Sequence, residues 1–191
     1  MRHSNFTAIY DANILYPSHL RAFVMWLGLT GKFRPRWSAD IHDEWQRSLL
    51  AARPDISPEQ VKRTADLMDK AIPDACVEWY RDLIPGLTLP DPDDRHVLAA
   101  AIRCGASVIV TLNQRDFPTE ILAPYGIEAQ HPDEFVDNLF DLDAAAVVKA
   151  AQKARAQLLN PPMSVDDFLA LLRKHGLVQT TKALAGYRTI L

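Results

Sequence analysis

The chain has 191 residues, 48% of them apolar, and carries a net charge of −3. That size suits one core-bearing domain with a modest extension, and the small negative charge excludes a global basic field for nucleic acid, leaving at most a local basic edge. Cys76 and Cys104 lack the spacing of a zinc site or disulfide framework, and no apolar run is long enough for a signal peptide or membrane span, so a reducing cytoplasm with no membrane contact is expected.

The first expected strand is 7–10, apolar throughout and so buried on both faces. "LRAFVMWLGLTG" (20–31) reads as a helix closed by Gly31, and "KFRPRWS" (32–38) as a basic, aromatic connector with a short strand at Phe33–Pro35. Ser38 then caps a helix in which Ile41, Trp45 and Leu49 recur at helical spacing. The clearest helix is 57–72. Ser57 is its cap, Pro58 sits at the first helical position, Gln60 completes a capping box, and Val61, Ala65, Met68 and Ile72 form the apolar stripe.

Residues 76–94 read as short extended pieces and turns. A helix over 95–105 ends at Gly105, and "ASVIVTL" (106–112) is a second buried strand. After the turn 113–118, Pro118 opens a short helix to about Ala123, and 127–130 is an edge strand. From Asp133 onward the pattern is helical: one helix over 141–159, a hinge at "NPPM" (160–163), a second helix from the Ser164 cap to Gly176, and a third in 179–191. Alternating strands and helices up to about residue 135 define a three-layer α/β/α fold with a mainly parallel sheet over 1–140, followed by a helical extension over 141–191.

One stretch breaks the hydrophobic rule. In "AIYDANIL", Asp11 follows an apolar strand directly and Asn13 comes two residues later. A buried carboxylate needs a partner or a metal, although capping the next helix would also account for an Asp here. Other acids sit at comparable boundaries. Glu44 lies in the first turns of a helix, Asp93 and Asp94 open "RHVLAAA", and Asn113 and Asp116 follow "SVIVT". In open parallel sheets, ligands bind beyond the carboxyl ends of the strands. Acids meeting there cannot all remain ionised without a cation, and hard oxygen ligands select Mg²⁺ or Mn²⁺, the usual apparatus of phosphodiester hydrolysis.

These segments, "AIYDAN", "SADIHDEW", "DPDDRHVLAAA" and "SVIVTLNQRDF", resemble in order and spacing the motifs of PIN-domain ribonucleases, most closely the toxins of VapC type from bacterial toxin–antitoxin pairs. The likeness covers roughly 6–135, and the tail is similar to an extension carried by a larger subgroup. It implies a Mg²⁺- or Mn²⁺-dependent endoribonuclease held silent by a cognate antitoxin, with room for a homodimer. Asp11, Glu44, Asp94 and Asp116 would be catalytic, and Asp11, Asp94 and Asp116 would hold the metal. Asn13, Thr111 and Asn113 would stand behind them and orient the carboxylates. Asn113 stands where many relatives have Asp, which leaves one metal or two open.

The competing class is a catalytically degenerate PIN fold that binds RNA or protein partners. A haloacid-dehalogenase phosphatase would need a second Asp where Asn13 stands, a phospho-receiver lacks its middle-strand Asp, and "HDE" has no following P-C-x-x-C for a zinc deaminase. Lys32, Arg34 and Arg36 are candidate contacts to an RNA backbone. His42, near Glu44, could orient it, though a surface position is the default; His96 reads as a surface or satisfied residue, and the four tryptophans mostly as core. The tail stripe of Val165, Phe168, Leu169, Leu171 and Leu172 must lie on the chain's own core, a second copy or an antitoxin helix.

Overall fold

The computed structural model describes residues 6–158 and 162–191. Five strands form one sheet in the order β3-β2-β1-β4-β5: β1 (Thr7–Tyr10), β2 (Arg34–Ser38), β3 (Cys76–Val77), β4 (Val108–Val110) and β5 (Glu128–Gln130). Every pairing is parallel. All four residues of β1 are buried, as expected of a central parallel strand covered on both faces. The sheet reverses its winding between β1 and β4, which opens a crevice beyond their carboxyl ends.

The helices are α1 (Ala12–Leu15), α2 (Ser18–Gly28), α3 (Ala39–Ala52), α4 (Pro58–Ala71), α5 (Arg95–Cys104), α6 (Thr119–Leu122), α7 (Pro132–Ala156), α8 (Val165–Lys174) and α9 (Val178–Ala185). Together with the sheet they make a three-layer α/β/α fold. Helix α5 packs across β1, β2, β3 and β4, while α2, α7, α8 and α9 pack on one another. The local signals act as expected. The Ser38 hydroxyl accepts from the Ile41 amide, Ser57 and Gln60 form the capping box, and Ser164 caps α8 through the Asp167 amide. Gly105 ends α5 in the left-handed conformation, φ +62°, which costs glycine little.

Several elements differ from the expectation. Pro17, which has no N–H to continue a helix, separates the short α1 from α2, so helix begins at Ala12 rather than at Leu20. Strand β2 runs on to Ser38, and β4 is shorter than 106–112. Helix α7 spans the expected boundary at 140/141 and kinks at Asp143, whose backbone is non-helical. Its carboxylate accepts from the Ala146 amide and pairs with Lys32, so a new capped helix begins where the sequence suggested one. In the expected hinge, Asn160 and Pro161 lie outside the described residues, as does Leu159.

The tail closes on its own chain. Phe168, Leu169 and Leu172 are buried, with Val165 and Leu171 partly so. The Asp133 carboxylate accepts from the Gln179 and Thr180 amides at 2.9 and 2.8 Å, tying α7 to the start of α9. Arg155 donates to the carbonyls of Met163 and Leu191. Of the three fates open to the stripe, the structure shows the first. Trp37 and Trp45 are core, whereas Trp79 is 83% exposed and departs from the expectation.

Candidate metal centre in the acidic crevice

The register builds the centre. Tyr10 of β1 lies opposite Val110 of β4, so the next residues, Asp11 and Thr111, meet although they are about 100 positions apart in the chain. Asp11 is 2% exposed and makes no side-chain capping bond to α1, so the capping explanation fails. Instead the Thr111 hydroxyl donates to Asp11 Oδ2 at 2.7 Å, and Asn13 Nδ2 donates to the same oxygen at 2.6 Å. Thr111 Oγ1 also accepts from Asn13 Nδ2 at 3.0 Å and from the Asn113 amide at 2.9 Å. Asn13 Oδ1 in turn accepts from the Leu112 amide. One donor and two acceptors saturate the hydroxyl, so Thr111 and Asn13 lock the aspartate in place.

Asp94 precedes α5 and likewise makes no capping bond. It offers an oxygen to a group formed with Asp91 and Asp116, in which the three atoms lie within 4.8 Å of one another. Asp116 is held by Asn113 Nδ2, and the turn carrying it is anchored by the buried Phe117. Burial pushes the Asp94 carboxyl up to about 7, with the charges of Asp11, Asp116, Asp91 and Glu44 adding to it. Burial also raises Asp11, against the Thr111 hydrogen bond and with help from Glu44, to about 6. The acids therefore share one electrostatic site.

The structure brings together Asp11, Glu44, Asp94 and Asp116, backed by Asn13, Thr111 and Asn113. Beside the expected Asp11, Asp94 and Asp116, the structure adds a further candidate, since Asp91, Asp94 and Asp116 form a group of oxygens close enough to share one ion. Asp91 escaped the sequence reading, although "DPDD" holds the signal. The segment Pro92–Asp94 is a 3₁₀ turn in which Asp91 caps the Asp93 amide, and positions three apart in such a turn lie on one side. The donor set fits a hard divalent cation, since it is all carboxylate oxygen with spacings that ligand bonds of about 2.1 Å can bridge after slight closure.

One expectation needs correction. His42 is neither on the surface nor facing Glu44. It is buried, its Nδ1 accepts from Trp45 Nε1 at 2.9 Å, and its Nε2 meets Asp69 Oδ1 at 3.1 Å. His96 meets Glu44 instead. The basic candidates lie away from the crevice. Arg34 is opposite Thr7 at the amino end of the sheet, and the preceding Lys32 pairs with Asp143. Arg36 Nε is buried without a partner among the described residues. By backbone register all three precede the acids' end of the sheet, because β2 runs parallel to β1 and Ser38 is the residue of β2 that comes level with that edge.

A five-stranded parallel sheet with acids at the carboxyl ends of its central strands defines the class. The chain belongs to the PIN-domain family, which matches residues 7–115. The VapC50 C-terminal domain family matches residues 132–186. Among curated proteins, the chain is similar to "Putative ribonuclease VapC50" of Mycobacterium tuberculosis, with 40% identity over 93 residues, covering 49% of this chain and 54% of that protein. It thus spans about half the length of the curated relative it matches. No solved structure matches it. Among the described residues, no helix is long and apolar enough to cross a membrane.

Proposed function

We propose that this chain is a Mg²⁺- or Mn²⁺-dependent endoribonuclease, and the toxin of a toxin–antitoxin pair. The observation that carries the reading is the convergence of Asp11, Asp91, Asp94 and Asp116 on one crevice, close enough that mutual repulsion helps hold Asp94 at about 7. Such a group is costly unless a cation relieves it. The name of the mycobacterial relative supports RNA as the substrate. The antitoxin partner follows from the resemblance to VapC-type toxins and from the shared C-terminal domain family.

Asp94 and Asp116 would hold the cation, with Asp91 or Asp11 completing the set. When bound, it would neutralise the scissile phosphate and lower the pKa of a water molecule. Thr111 and Asn13 hold Asp11 through Oδ2 and keep its carboxylate from rotating. Glu44 Oε1 would accept a proton from the attacking water, since Oε2 is engaged by His96.

Purified protein incubated with RNA should produce cleavage with Mg²⁺ or Mn²⁺ and none with EDTA. Expression should arrest growth, relieved by the small protein encoded beside it. RNA binding without cleavage in either metal would favour the degenerate binding module.

A further inference from the structure

His96 lies two positions beyond Asp94, in the first turn of α5, with its side chain 15% exposed. Its Nε2 lies 3.1 Å from Glu44 Oε2, joining α5 to α3 across 52 residues of sequence. Its Nδ1 is buried and has no hydrogen-bond partner among the described residues. The helix beneath the ring is rigid, because Val97 to Ala101 are fully buried.

Glu44 is a long side chain, 37% exposed, and its charge faces those of Asp11 and Asp94, which both feel it. Repulsion alone would swing its carboxylate outward into solvent, where three rotatable bonds give it freedom. The only attraction toward the crevice that Glu44 receives from a described side chain in hydrogen-bond contact is His96 Nε2. The tautomer that donates there leaves Nδ1 buried with nothing to accept from, an uncompensated desolvation. A simple staple between α3 and α5 would not need a ring that pays this cost at the edge of an acidic crevice.

We propose that His96 is a positioning residue. Its Nε2–H holds Glu44 Oε2 and so turns Oε1 toward the attacking water. The proposal rests on the nuclease reading, and it is tested by a pair of variants. In H96Q the side-chain amide nitrogen replaces Nε2. In H96N the shorter amide falls near the Nδ1 position and cannot reach Glu44.

With wild-type metal and RNA, H96N should lower kcat about tenfold or more while KM stays within about twofold, and H96Q should keep most of the rate. In an E44Q background, measured in single turnovers, H96N should add no further loss. A readout independent of cleavage is the ¹³C carboxyl resonance of Glu44 in the metal-free protein, assigned by its disappearance in E44Q. It should move in H96N and stay in place in H96Q. Equal rates and equal resonances in the two variants would overturn the proposal, as would a loss in H96N that persists in E44Q. An H96N protein that fails to fold while H96Q folds would mark the ring as structural and overturn it too. Should wild type show no metal-dependent cleavage, the nuclease reading falls, and the Glu44 resonance alone decides the positioning role.

Discussion

Asp11→Asn should stabilise the metal-free protein while abolishing metal-dependent cleavage. The substitution keeps an oxygen to accept from Thr111 Oγ1 and Asn13 Nδ2, so the surrounding bonds survive. It removes a carboxylate that is 2% exposed and held at about 6 instead of 3.8. At 1.36 kcal/mol per pH unit, ionising that group in the folded state costs about 3 kcal/mol more than in the unfolded chain. Because the folded pKa is raised, the folded state binds more protons between pH about 4 and 6. Stability from this group is therefore highest when it is protonated and falls as pH rises through that window.

Urea denaturation in EDTA checks this. At pH 8 the Asp11→Asn protein should exceed wild type by about 1–3 kcal/mol, the lower end allowing for imperfect repacking around the new amide. At pH 4 the gap should close. Asp94 should also titrate lower in the variant, because Asp11 is the first charge acting on it. Equal stability at pH 8, or a gap that does not change with pH, would refute the argument that the buried, ionised Asp11 strains the metal-free fold.

Asp94→Asn should fold normally and lose Mg²⁺-dependent RNA cleavage; unchanged cleavage by a folded protein would remove Asp94 from the centre. Mn²⁺ affinity measured by calorimetry should rise between pH 5.5 and 7.5, by up to about tenfold per pH unit for each proton displaced, since Asp94 at about 7 and Asp11 at about 6 must ionise to bind. An affinity indifferent to pH over that range would argue against a shared site. Leu172→Ala, at a fully buried position on α8, should cost about 2–5 kcal/mol in thermal or urea unfolding if the tail belongs to the core. A truncation after residue 158 that keeps the wild-type melting temperature would show that the tail is dispensable for folding.

Where hydrogen bonding and periodicity act over a few residues, sequence and structure agree. Ser38, Ser57 with Gln60, and Ser164 cap the helices they were expected to cap, because a cap needs only a side-chain oxygen and an amide two or three residues on. The apolar run at 7–10 and the acids at element ends were equally legible, since burial on two faces and an interrupting charge are local patterns. The rest depended on pairings between distant segments. Only the strand order and the Tyr10–Val110 register bring Thr111 onto Asp11, and only the approach of α3 to α5 assigns Glu44 to His96 rather than to its sequence neighbour His42. Lys32 and Arg34 stood out in sequence only as candidate contacts to an RNA backbone, and it is the parallel register that places them at the end of the sheet opposite the acids. The tail's apolar stripe announced that it would be covered, but not by what. That was decided by the faces of α2 and α9, the latter tied to α7 through the Asp133 carboxylate, surfaces that exist only once the chain has closed over a long loop.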